Sequence, residues 1–164
     1  MNATLAFRVT GSTLKSPEFG DPIAGTDIRC GNWYSFDANQ QLSKNKNKAR
    51  HHTRGNPMVP NGTNFISLYD SPRRLWNIAR HTKGSRIAVI DLRVLDRLGI
   101  AYASTTTDLG FHGVSFATNS HLLVKGWLPA RSILGFLAFS QFERLLQIAN
   151  IDTKTLNWRK CIIS

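Results

Sequence analysis

The stretch Arg86-Ile87-Ala88-Val89-Ile90-Asp91-Leu92 constrains this chain most. It is mostly apolar and β-branched, the composition of a central strand buried on both faces. Candidate neighbours for it are short. From Thr4 to Thr10 the residues alternate: Leu5, Phe7 and Val9 share one face, while Thr4, Ala6, Arg8 and Thr10 share the other. That pattern predicts a half-buried strand with Arg8 on its polar side. Further strands are predicted over Asn64–Tyr69, His121–Lys125 and Ser132–Phe139.

Helix signals fall between and after these strands. Ser71 suits an N-cap and Pro72 the first helical position, with Leu75, Ile78 and Ala79 on the apolar face and Gly84 as the stop. Leu95 and Leu98 suggest a short helical turn. Ser140-Gln141-Phe142-Glu143 reads as a capping box opening a last helix whose apolar face is Phe142, Leu145, Leu146 and Ala149. Residues 12–62 carry many turn formers, with short strands or a helical turn expected near Ile28 or Trp33–Phe36. Residues 101–118 look loop-like, and Gly126–Ala130 reads as a turn. The order of elements predicts an α+β fold with a small mixed or antiparallel sheet and flanking helices.

At 164 residues and 18.4 kDa the chain suits a single domain over residues 1–150, with a tail over 151–164. The net charge of +11 is concentrated. Between Ser43 and Arg86 there are ten Lys and Arg against the single acid Asp70. Within that stretch Lys44, Lys46, Lys48 and Arg50 lie in a polar segment, part of a basic loop over 40–62, and Arg73 and Arg74 sit on the predicted helix. These six residues are candidates for binding phosphate or nucleic acid; the plainer reading is a solvated insertion loop. Of the ten acids only Glu18 and Glu143 are glutamates. A mechanism that needs a catalytic Glu has few places to find one.

Cys30 and Cys161 are too few for a disulfide framework or a zinc site; two free thiols are the default, a single bridge in an oxidising compartment the alternative. His51-His52 lacks further ligand spacing, so no metal site is predicted. No run of about 18 apolar residues occurs, so no membrane-spanning helix is expected. Met1–Arg8 lacks the apolar stretch of a signal peptide.

Four segments together resemble an ADP-ribosyltransferase domain of the fungal toxin-like or effector-like type, and a related fungal domain of unknown function. Phe7-Arg8-Val9 is similar to the aromatic-Arg motif of the family's first strand. Asn64–Ser71 followed by the Leu75–Arg80 helix is similar to its Phe-aliphatic-Ser signature. Ile87–Leu92 matches the strand that follows. Ser120–Ile133, with Gly126 and Leu128-Pro129, resembles the closing strand and its glycine-proline turn.

The resemblance implies NAD as cofactor. Arg8 falls where the family holds NAD phosphate or ribose, a task suited to a planar guanidinium. Ser67 falls where the family's Ser supports the pocket, and Tyr69 replaces the second small hydroxyl residue. The closing strand of the family carries a Glu that stabilises the cationic transition state as nicotinamide leaves; His121 stands at that position here. A neutral imidazole can bond a ribose hydroxyl but brings no negative charge. Asp91 and Asp108 are conceivable substitutes without a matching position.

Three functions follow, in order of preference. The first is a catalytically degenerate ADP-ribosyltransferase-like protein acting by binding a host protein, a nucleotide or nucleic acid. The second is an active mono-ADP-ribosyltransferase modifying protein or nucleic acid. The third is a basic nucleic-acid-binding module using Trp33, Tyr34 and Phe36 as stacking platforms. The resemblance also suggests a secreted effector acting inside host cells.

Overall fold

The computed structural model describes residues 4–10, 28–29, 65–79, 86–111 and 120–148. The elements are β1 (Leu5–Thr10), β2 (Ile28–Arg29), β3 (Phe65–Tyr69), α1 (Pro72–Ala79), β4 (Arg86–Asp91), α2 (Leu92–Arg97), β5 (Tyr102–Ser104), β6 (His121–Lys125), β7 (Trp127–Leu128), a 3-10 turn (Ala130–Ser132), β8 (Ile133–Ala138) and α3 (Phe139–Ile148). The basic loop 40–62, Trp33–Phe36, both cysteines, Glu18, Gly84 and the tail 151–164 lie outside the described residues.

The β-branched run becomes β4, between β1 and β8, in a sheet of order β5-β6-β3-β1-β4-β8. Every neighbouring pair is antiparallel, so the sheet is antiparallel throughout. Period-2 alternation divides β4 between two apolar layers. Ile87 and Val89 face a layer with Phe7, Tyr69, Leu137, Leu75 of α1, and Phe139, Phe142 and Leu146 of α3. Ala88 and Ile90 face the other layer, with Ala6, Ile66, Leu68, Leu122, Val124, and Leu92 and Leu95 of α2. Ile28 of β2 and Leu128 of β7 close that second face as a separate two-stranded ladder. Each fully buried Val, Leu, Ile or Phe side chain among these contributes roughly 1.5–3 kcal/mol.

Two-sided cover explains a departure from the sequence reading. Arg8 shares its face with Ala6 and was expected on a polar, solvent-facing side. It is only 4% exposed, because α2 and the β2–β7 ladder cover the face on which water was expected. Residues 101–118 are not all loop: Tyr102–Ser104 form β5 and pair with β6. Three residues are too few to show a period, and only the partner strand defines them. The Gly126–Ala130 turn contains β7, and Gly126, between β6 and β7, takes a positive φ of 89° that glycine adopts without steric cost.

Caps follow the sequence in one case and not in another. The amide of Arg74 donates to Ser71 Oγ at 3.4 Å, as an N-cap three residues ahead should accept. Asp91 caps α2, its Oδ1 accepting from the Arg93 amide at 3.0 Å, which ends β4 one residue earlier than the apolar run. The capping box at Ser140 does not form: α3 begins at Phe139, whose burial in the first layer draws it into the helix, so Ser140 lies inside the first turn. Glu143 instead reaches across to α1, where its Oε2 accepts from Trp76 Nε1 at 3.0 Å. One turn along, Arg73 Nη2 donates to the Leu146 carbonyl at 3.4 Å, near the electronegative C-terminal end of α3. The two contacts run in opposite sequence directions, so α1 and α3 pack antiparallel.

A hydrogen bond to a charged acceptor is worth about 1.5–3 kcal/mol. Glu143→Ala is therefore expected to lower the unfolding free energy in a urea titration by that amount, with Glu143→Gln retaining part of it. Equal stability of Glu143→Ala and wild type would mean that the Trp76 link does not join the helices.

Candidate functional site

The ladders are uneven. β1 pairs with β4 along its whole length, from Leu5↔Asp91 to Thr10↔Arg86, and β3 pairs with β6 from Phe65↔Lys125 to Tyr69↔His121. Between β1 and β3 the register holds only the pair Phe7↔Tyr69. The sheet is thus two three-stranded halves, β5-β6-β3 and β1-β4-β8, meeting at a seam.

The backbone alternation of β3 is set by the bond from the Asp70 amide to the Ser120 carbonyl, 3.0 Å, which puts the even-numbered residues of β3 on β6 and turns the odd-numbered ones toward β1. The Ser67 carbonyl therefore faces the seam, opposite Val9 if the pairing continued. The Arg8 guanidinium takes that carbonyl instead, Nη1 donating at 2.9 Å. A side chain replaces a ladder bond at the point where the two halves part.

On the layer shared with α1 and α3, Tyr69 and His121 lie directly opposite each other across β3 and β6. Their rings stack, with centroids 4.8 Å apart and planes at 8°. His121 Nε2 lies 3.0 Å from Ser67 Oγ, and the imidazole tautomer decides which of the two donates. His121 is 2% exposed, whereas Ser67 keeps partial contact with solvent. The Thr105 amide, donating to the His121 carbonyl at 2.9 Å, extends the β5–β6 pairing past Ser104 and fixes His121 from its outer side. Thr105 is fully buried, and nothing in the sequence around it marked it out.

The structure thus links these residues through Ser67, whose carbonyl accepts from Arg8 on the Ala6 face of the sheet and whose hydroxyl meets His121, stacked on Tyr69, on the Phe7 face. Burial pushes the Tyr69 phenol up to about 12, with the Arg8 charge pulling weakly the other way, so Tyr69 is neutral near pH 7. Arg8 is the cation of the group, and Ser67 and His121 bring no negative charge. The two conceivable substitute carboxylates are engaged elsewhere. Asp91 holds the Arg93 guanidinium through both oxygens, at 3.1 and 3.0 Å, and Asp108 Oδ2 accepts from the Ser104 amide at 2.7 Å.

Of the candidate phosphate-binding residues, Arg73 and Arg74 are exposed on α1, and Arg73 is tied to α3. Lys44, Lys46, Lys48 and Arg50 lie outside the described residues. Among the described residues, no group of three or more His, Cys, Asp or Glu could hold a metal ion, and no helix is long and apolar enough to cross a membrane.

Fold and site together define an α+β protein with a two-faced antiparallel sheet and an internal seam at which Arg8, Ser67, Tyr69 and His121 are linked. The chain belongs to the family described as domain of unknown function DUF7587, whose profile matches residues 3–142 and so spans all four of those residues. No curated protein matches the chain.

Tyr69 makes a pH prediction. Its pKa is raised from 10.0 in the unfolded reference to about 12 in the fold, so the folded state prefers the protonated phenol. The stability associated with that preference is fully present below pH 10 and is lost as pH rises from 10 through 12. Two units correspond to about 3 kcal/mol. Unfolding free energies measured between pH 9 and pH 12 are expected to fall by about 2 kcal/mol more in wild type than in Tyr69→Phe. Parallel curves for the two proteins would contradict the burial of the phenol.

Proposed function

We propose that this chain is an ADP-ribosyltransferase-like protein that binds through the seam and does not transfer ADP-ribose. The observation that carries the reading is the meeting of Arg8, Ser67 and His121, three residues far apart in sequence, at one break in the sheet. The resemblance assigned the same three residues to one nucleotide site, and that agreement supports the reading.

The residues fit one part of NAD and not the other. A guanidinium suits phosphate or ribose oxygens, and the Ser67 hydroxyl and His121 imidazole suit ribose hydroxyls. NAD, when bound, supplies a ribose carbon that becomes cationic as nicotinamide departs. That charge needs a carboxylate, and the position holds His121. The loss of such a preorganised group typically slows a reaction by about a hundredfold to a thousandfold. The protein on this reading acts by occupancy, on a host protein or nucleic acid in the manner of a fungal effector. The exposed Arg73 and Arg74, and a net charge of +11, favour a polyanionic partner.

Incubation with nicotinamide-labelled NAD, at high protein concentration and with protein, DNA and RNA acceptors, is expected to release no nicotinamide above the uncatalysed rate. Release that disappears in Arg8→Ala would establish the alternative, an active transferase with an altered triad.

A further inference from the structure

The two edges of the sheet end differently. β5 is three residues long, and past its end the chain stays tied to β6 by the Thr105 amide. β8, at the other edge, is the six-residue run Ile-Leu-Gly-Phe-Leu-Ala, without a charge or a proline. Natural edge strands are usually blunted by charges, prolines or a covering segment. Among the described residues nothing pairs with the outer side of β8. Its one irregularity is a bulge: Val89 pairs with Gly135 and Ile90 with Ile133, so Leu134 is the extra residue. From Gly135 to Ala138 the register with β4 runs without a break. The Leu92 amide, donating to the Thr4 carbonyl at 3.0 Å, puts the even-numbered residues of β4 on β1 and the odd-numbered ones on β8. Ile87↔Leu137 and Val89↔Gly135 are therefore the bonded pairs of the β4–β8 ladder. Phe136 then turns its N–H and C=O outward, and Ala138 its N–H. The side chains here are incompletely covered as well. Ile133 and Phe136 pack on one apolar layer and Leu134 on the other, yet all three are only half-buried. Apolar surface and outward backbone groups thus lie side by side, the combination that an added strand covers.

Charge decides which strand fits. Residues 126–142 contain no acid. Arg131 is exposed just ahead of β8, and Arg86, opposite Ala138, is exposed at the other end. The acids on the neighbouring elements are engaged: Asp91 of β4 holds Arg93, Asp96 of α2 bonds Tyr102, and Glu143 of α3 bonds Trp76. A second copy of the chain, paired antiparallel about Phe136, brings the Arg131 end of one protomer toward the Arg86 end of the other, on chains that each carry +11. Like charges at both ends oppose that pairing, whereas acidic ends complement it. We infer that β8 is a docking edge for an extended segment of a partner protein, apolar at alternate positions and acidic at its ends, which adds to the sheet as a further strand. The edge is separated from the seam by β1 and β4, and the inference stands apart from the reading of the seam.

The test is fluorescence anisotropy of the full chain with a labelled peptide of alternating valine and threonine bearing aspartates at both ends. It is expected to bind at least about tenfold tighter than a fully N-methylated version, which has no donors for a ladder, and than the same peptide with lysine ends. Arg131→Glu and Ala138→Asp, both at exposed positions and checked for folding by circular dichroism, are each expected to weaken binding about fivefold, the loss shrinking as salt rises. Equal affinity for the N-methylated or the lysine-ended peptide overturns the inference, as does no binding at all. Equal affinity of both variants and wild type puts the peptide elsewhere and overturns it too. A dimer seen by sedimentation without peptide, and abolished by Ala138→Asp, overturns it in favour of a second copy. Should either variant fail to fold, the comparison of peptides on wild type decides. None of these outcomes touches the seam, so the proposed function stands or falls separately.

Discussion

The candidate site depends on where β1 and β3 stop pairing. Each is fully laddered on its other side, β1 to β4 and β3 to β6, so each half of the sheet is stiff. With Phe7↔Tyr69 as their one registered pair, the divergence of the halves has to be absorbed within a residue or two. That puts the Ser67 carbonyl opposite a gap rather than a strand. A buried carbonyl without a donor costs about 1–3 kcal/mol, and the Arg8 guanidinium supplies the donor. A charged group is thereby held inside a sheet whose two faces are both apolar.

The remaining cluster is a consequence of register. Tyr69↔His121 places the two rings on adjacent strands, where stacking is the geometry that fits. Ser67 then lies one diagonal step away, within reach of the imidazole. Thr105 holds the far side of His121 through the backbone. Behind these residues the α1–α3 pair covers the layer containing Phe7 and Tyr69, clamped by Trp76–Glu143 and Arg73–Leu146. One of the two glutamates in the chain is thus a helix-to-helix link.

Strands with a period or a strong composition were legible: β1, β3, β4, β6 and β8 lie within a residue or two of their predicted spans, and β2 falls near Ile28 as one of two expected places. α1 was legible from Ser71-Pro72. What was not legible depended on partners distant in sequence. β5 is defined by β6 alone. The start of α3 is set by the burial of Phe139, which outweighed the local capping signal at Ser140. The burial of Arg8 could not be read from alternation, which separates the two faces of a strand but does not say whether the polar one is covered. The Arg8–Ser67–His121 grouping was suggested by motif order rather than by any local pattern, since a strand arginine, a strand serine and a strand-end histidine are each ordinary alone. The seam itself left no trace in the sequence.

The central claim is that the binding site of this protein is the seam between the halves of its sheet. It is tested most directly by mapping backbone amide shifts in heteronuclear NMR spectra during titration with NAD+. The account predicts that the largest shifts fall at Arg8, Ser67, Tyr69 and His121, with β8 and the exposed face of α1 little changed. Shifts confined to α1 or to the basic 40–62 segment, with those four amides unmoved, would contradict it.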